Sequence, residues 1–179
     1  MTFIEKLENQ VSSKQSYICV GLDPVWEKMP PHLPRTPEGL LEFLLEIVDE
    51  TKAYAVVFKP NFAYFETLGA SGMEILQELI RKIPAEIPVL GDAKRGDVGH
   101  SAEMYAKAVF ETFECDAVTV TPYQGEDAIR PFLAYRERGV FVLCLTSNPG
   151  AADFQLPEMH LQVAKKVKGW NVAGNAGLV

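Results

Sequence analysis

The chain has 179 residues, 47% of them hydrophobic and 23% charged, enough for one globular domain with a real core. Its net charge of −7, from 17 basic against 24 acidic residues, argues against a nucleic-acid partner bound by general phosphate attraction. A small anionic ligand stays compatible, because a pocket can be locally positive in an acidic protein. No apolar run reaches the length of a membrane span and the opening MTFIEKLENQ lacks a signal-peptide core, so the expected compartment is the cytoplasm, with no membrane partner.

Strand-like and helix-like segments alternate along the chain. YICVGLDP (17–24) is a short apolar run stopped by Asp23-Pro24. Thr36-Pro37 then reads as an N-cap followed by proline at the first helical position. The helix it opens carries Leu40, Leu41, Leu44, Leu45, Ile47 and Val48 in a stripe of helical period. AVVFKPNF (55–62) is a second strand, followed by a helix bearing Met73, Leu76, Leu79, Ile80 and Ile83. PVLGDAK (88–94) is the third strand, and the next helix buries Ala102, Tyr105, Ala106, Val109, Phe110 and Phe113. AVTVTPY (117–123), a helix near 126–138, VFVLCLT (140–146) and a helix near 157–168 follow, and a sixth strand begins at AGLV.

Units of about 30 residues, each a strand, a loop and a helix, require a parallel sheet covered by helices. Either an open doubly wound sheet or an eight-stranded barrel would satisfy that pattern. No G-x-G-x-x-G follows the first strand, which disfavours a dinucleotide-binding sheet. Asp23, Lys59, Asp92, Lys94 and Ser147 all fall at the C-terminal ends of strands, where barrel enzymes carry their active sites. The expected fold is a (β/α)8 barrel, of which residues 1–179 form a single domain supplying about the first five and a half units. The remaining strands of a barrel of roughly 250 residues would be missing.

The three cysteines, Cys19, Cys115 and Cys144, are widely spaced and form no C-x-x-C; Cys19 and Cys144 lie in strand-like runs and should pack in the core. His32, His100 and His160 have no metal-binding spacing, and His160 should lie on a helix surface. No metal site is expected from these residues.

VLGDAKRGDVGHSA (89–102) carries a buried strand straight into Asp92, Lys94, Arg95 and Asp97. Alternation puts Asp92 and Lys94 on one face above Leu90, with the small Gly91 and Ala93 facing the covering helices. Asp97 lies beyond the strand, in the loop. On the second strand Lys59 shares a face with Val57 and is the last residue before Pro60. Two ammonium groups and a carboxylate thus converge at the mouth of adjacent strands. A solvated rim would explain one such charge. A lysine and an aspartate at i, i+2 on a buried parallel strand are costly unless paired, which points to a network held for chemistry.

DAKRGDVGHSAEMYA resembles the D-x-K-x-x-D signature of orotidine 5'-phosphate decarboxylase, in the branch with a D-A-K-R-G-D motif. ICVGLDP, FKPNFAYFE, VTVTPYQGEDAIRPF and LCLTSNPGA resemble that family's other blocks, in the same order. The resemblance implies a (β/α)8 barrel acting as a homodimer on a nucleotide in pyrimidine biosynthesis, without metal or organic cofactor. It implies that Lys94 protonates C6 of the pyrimidine as carbon dioxide leaves, and that Asp92 sits beside the substrate carboxylate. Lys59 would hold Asp92 and a ribose hydroxyl, Asp23 a ribose hydroxyl, and Ser147 the pyrimidine edge. Asp97 and Ser101 would serve the neighbouring subunit's site, Ser101 standing where the family usually has threonine. The family's phosphate-gripping loops, after its seventh and eighth strands, have no counterpart here.

Two other readings carry weight. A magnesium-dependent sugar-phosphate decarboxylase or synthase of the same superfamily shares D-x-K-x-x-D, but resembles the chain less, because its second strand carries glutamate where Lys59 stands. An ammonium there removes a ligand and repels the metal. A catalytically silent barrel fragment is the reading from a different class.

Overall fold

The computed structural model describes residues 1–179. Helix α1 (Phe3–Lys14) precedes the first strand, and the remaining elements are β1 (Ile18–Leu22), α2 (Pro37–Thr51), β2 (Ala55–Pro60), α3 (Phe62–Glu66), α4 (Gly69–Lys82), β3 (Leu90–Arg95), α5 (Gly99–Lys107), β4 (Ala117–Val120), α6 (Glu126–Leu133), β5 (Gly139–Val142), α7 (Ala151–Phe154), α8 (Met159–Trp170) and β6 (Ala176–Leu178). Every strand pairing is parallel: β1 with β2, and β3, β4, β5 and β6 in succession. Single parallel bridges, Phe58 to Val89 and Asn61 to Asp92, join the two groups. Spatial order therefore follows chain order throughout, with none of the reversal that marks a doubly wound sheet. This is six strands of a barrel wall.

Local chemistry explains the boundaries. The Thr36 hydroxyl accepts from Gly39 N at 3.2 Å, with Pro37 at the first helical position, as the sequence predicts. α1 is fixed by a capping box: Glu5 N donates to the Thr2 hydroxyl and Thr2 N to the Glu5 carboxylate. The helix expected to run to residue 138 stops at Leu133. There the Asn175 amide, buried beside it, donates to the carbonyls of Leu133, Tyr135 and Arg138, taking up acceptors that a helix end leaves free. α3, which was not anticipated, starts where the Asn61 side chain accepts from Ala63 N.

One core lies between wall and helices, with Leu22, Phe58, Val118 and Val140 fully buried among Leu40, Leu44, Leu76, Leu79 and Phe132. Gly91 is tight against that layer. A Cβ there would stand 3.1 Å from both Cys115 Sγ and the Phe62 ring. On the other face of the wall, Cys19, Val57, Leu90 and Phe141 line a cavity of about 750 Å³, closed at the strands' N-terminal end by Phe3, Leu7 and Val11 of α1.

Cys19 corrects an expectation. Its side chain faces the cavity and is exposed rather than packed. Cys144 is half-buried and donates to the carbonyl of His160 at 3.1 Å.

α1 is anchored electrostatically as well as by packing. Lys6 Nζ meets both Asp116 carboxylate oxygens at 2.8 Å, Asp116 also accepts from Val89 N, and Arg138 lies 3.6 Å away. Removing one partner from a cluster this shielded strands the others. Asp116→Ala should lower the unfolding free energy by roughly 2–3 kcal/mol, toward the lower end for broken buried pairs because the site is not fully dry. Urea unfolding checks this, and a loss under 0.5 kcal/mol would refute the anchoring role.

Candidate active site

Three strands deliver the charged residues to one end of the wall. Lys59 is the penultimate residue of β2, Asp92 lies within β3, and Thr119 sits on the inner face of β4. Asp92 is nearly buried, and each of its oxygens is used. Oδ1 accepts from Lys94 Nζ at 2.6 Å and from the Thr119 hydroxyl at 2.8 Å; Oδ2 accepts from Lys59 Nζ at 3.3 Å. Burial pushes the Asp92 carboxyl up, but the hydrogen bonds from Lys94 and Thr119 and the two nearby ammonium charges outweigh it and hold the group below the usual carboxylate range. It is therefore ionised at neutral pH.

Lys94 does not simply continue the strand. Its φ is 47°, in the left-handed region, which costs a non-glycine residue roughly 1–2 kcal/mol. The ladder goes from Gly91 opposite Val118 to Arg95 opposite Val120, so β3 takes four steps while β4 takes two. Such a bulge re-aims a side chain at a barrel rim. The displaced Lys94 N–H is caught by the Thr119 hydroxyl at 3.0 Å. The lysine's side chain is 49% exposed, against 10% for Asp92, so the ammonium stands at the mouth while its counter-ion stays inside. Plain alternation gave the right face for Lys94; the bulge supplies the aim.

Arg95, next in line, turns the opposite way. Its guanidinium pairs with Glu66 and lies 5.7 Å and 5.5 Å from the ring centres of Phe62 and Tyr105. That is a cation–π sandwich which clamps the strand end to α3 and α5.

The other residues singled out from sequence fall on loops beyond the strands and on the start of α5. Asp23 is exposed, two residues past Gly21, which pairs in register with Lys59. Ser147 is exposed on the loop after β5, next to Thr146. Thr146 N donates to Gln155 Oε1 at 2.7 Å, and Gln155 Nε2 donates back to the Thr146 hydroxyl at 2.8 Å. Asp97 and Ser101 are not brought to the cluster. Asp97 lies in the loop, accepting from Val98 N at 2.8 Å, and forms no ion pair within the chain; Ser101 is exposed on the first turn of α5.

Two participants escaped the sequence reading. Thr119 left a trace, as a hydroxyl at an inward position of an otherwise apolar strand. Gln155 left none, because its partner is nine residues away in a loop.

Residues 16–177 match the family model described as orotidine 5'-phosphate decarboxylase / HUMPS family. The orotidine 5'-phosphate decarboxylase of Roseiflexus sp. (strain RS-1) is 46% identical over 186 residues, covering 100% of this chain and 68% of that protein. The one from Bordetella pertussis is 44% identical over 187 residues, with the same coverage. The structure of Leishmania donovani OMP decarboxylase superposes with a TM-score of 0.90 at 40% identity, covering 99% of this chain and 70% of that one. The chain thus spans about two thirds of the length of these proteins, and over that span both sequence and fold agree. This chain belongs to the orotidine 5'-phosphate decarboxylase family.

Proposed function

We propose that this protein converts orotidine 5'-phosphate to uridine 5'-phosphate and carbon dioxide, with Lys94 as the proton donor. The observation that carries the reading is the buried Asp92 carboxylate gripped by Lys59 and Lys94 at the strand ends. The bond from C6 to the carboxylate breaks, its electron pair stays on C6, and carbon dioxide leaves. A proton then passes from the Lys94 ammonium to C6, and the neutral amine regains one from solvent. The fixed ammonium attracts the developing carbanion more strongly than the ground state, which is the condition for acceleration. Asp92 beside the substrate carboxylate adds a repulsion that disappears as carbon dioxide departs.

The supporting residues take the roles their positions allow. Lys59 holds Asp92 and a ribose hydroxyl, Asp23 a ribose hydroxyl, and Ser147 the pyrimidine edge. Asp97 and Ser101 serve the site of a second copy in a homodimer. Support for sharing comes from Asp97 having no cation partner in its own chain, and from the exposed apolar Val98 beside it. Its substrate is a small nucleotide, with no cofactor and no metal, and the enzyme works in the cytoplasm. The magnesium-dependent alternative is opposed by Lys59, whose ammonium occupies the second Asp92 oxygen.

One unit charge at 4 Å contributes about 4 kcal/mol at an effective dielectric near 20, or about a thousandfold in rate. In the full-length enzyme Lys94→Ala should therefore lower kcat by at least about a thousandfold while changing uridine 5'-phosphate affinity far less. Retention of kcat within tenfold would assign the proton to another group. Mixing inactive Asp97→Ala and Lys94→Ala chains should restore activity, since each heterodimer has one site with both residues intact. No recovery despite proven subunit exchange would count against a shared site. Because the folded Asp92 pKa is depressed, its contribution to stability is fully present above the unfolded carboxylate range, about pH 4, and is lost as pH falls through the lower folded value. The stability gap between wild type and Asp92→Asn should accordingly hold from pH 6 down to about pH 4 and close on further acidification, and a gap constant throughout would contradict the ion-pair account.

A further inference from the structure

We infer that Thr119 is a positioning residue for the decarboxylation site, its hydroxyl setting both the Asp92 carboxylate and the Lys94 backbone. The inference rests on the roles proposed above for Asp92 and Lys94.

A hydroxyl has one proton to give. The Asp92 carboxylate, an acceptor only, receives it at 2.8 Å, so the lone pairs of Thr119 Oγ1 are left to accept the Lys94 N–H at 3.0 Å. The direction of both hydrogen bonds is thus forced. Together with the 2.6 Å contact from Lys94 Nζ to the same Asp92 oxygen, they close a ring of Lys94 backbone, Thr119 hydroxyl, Asp92 Oδ1 and Lys94 ammonium. Thr119 is 3% exposed, so water does not replace it.

The ring addresses two separate needs. Lys94 is held at a φ of 47°, which its side chain disfavours, and the ladder does not satisfy its N–H at the bulge. The Thr119 hydroxyl takes that N–H and fixes the bulge. When the ammonium turns toward a substrate, Asp92 Oδ1 loses a donor but keeps the one from Thr119, so the carboxylate stays oriented. Thr119 itself stays behind Asp92 and is given no contact with substrate.

The charged groups facing Asp92 are Lys94 from its own strand and Lys59 from β2; Thr119 faces it from β4, and Cys19 on β1 lies near enough to feel the charges of Lys59, Asp92 and Asp23, the last just beyond β1. Removing the Thr119 donor leaves the two cations and the burial unchanged, so the carboxylate becomes easier to protonate. Activity that needs the Asp92 anion then fails at a higher pH.

The test compares Thr119→Val, of nearly the same volume, with Thr119→Ser, which keeps the hydroxyl, in the full-length enzyme. Thr119→Val should lower kcat at least tenfold, shift the acid limb of kcat/KM upward by half a pH unit or more, and leave uridine 5'-phosphate affinity within threefold. Thr119→Ser should return kcat to within threefold and restore the limb. Urea unfolding shows whether each variant is folded; kcat is compared at pH 7 and the acid limb over the pH range in which each variant stays folded. If Thr119→Val keeps normal kcat and an unmoved limb while Lys94→Ala is inactive, the Thr119 role is wrong and the site assignment stands. If Lys94→Ala is itself active, the site assignment has failed. Equal losses in Thr119→Val and Thr119→Ser would show packing rather than the hydroxyl at work, and would overturn the inference.

Discussion

A carboxylate placed inside a barrel wall must be compensated, and the neighbourhood of Asp92 is built around that requirement. Burial alone would favour the protonated acid. Two lysines and a hydroxyl reverse the preference, and each comes at a structural cost. Lys59 has to sit at the last position of its strand before Pro60, and β3 has to bulge so that Lys94 adopts a left-handed backbone. β4 has to carry a polar residue at a position otherwise suited to an aliphatic one. A site made only for stability would not be arranged this way, since apolar residues of similar volume often serve at least as well.

The scaffold distributes support so that the cluster stays rigid. Below it, α1 plugs the N-terminal end of the wall through Phe3, edge-on to Phe141 with ring centres 5.7 Å apart, and through the Lys6–Asp116 pair. Beside it, Arg95 between Phe62 and Tyr105 ties the end of β3 to two helices. These contacts act on the backbone rather than on the reacting groups. Their effect is to hold the strand end that carries Lys94, and small displacements of catalytic charges are expensive in rate.

Much of this was readable from the chain, for identifiable reasons. The strand-and-helix beat, the Thr36-Pro37 helix start and the shared face of Lys59, Asp92 and Lys94 follow from local rules of period and capping. So does the placement of Asp97 beyond the strand. What escaped depends on partners far apart in sequence. The end of the helix at Leu133 is met by the amide of Asn175, and Cys19 faces a cavity whose other walls come from distant strands and from α1. Thr119 left only a faint trace, because a threonine in a strand is unremarkable until the residue opposite it is known. The bulge at Lys94 has the same character, being a property of two strands together.

The central claim is that this cluster binds negative charge at C6 and that Lys94 is the group responsible. The most direct test measures the affinity of two uridine 5'-phosphate analogues, one neutral and one bearing an anionic oxygen at C6, for the full-length enzyme and for Lys94→Ala. The account predicts that the enzyme prefers the anionic analogue by several orders of magnitude, and that Lys94→Ala loses most of that preference while its affinity for the neutral analogue is little changed. An undiminished preference in Lys94→Ala would contradict it.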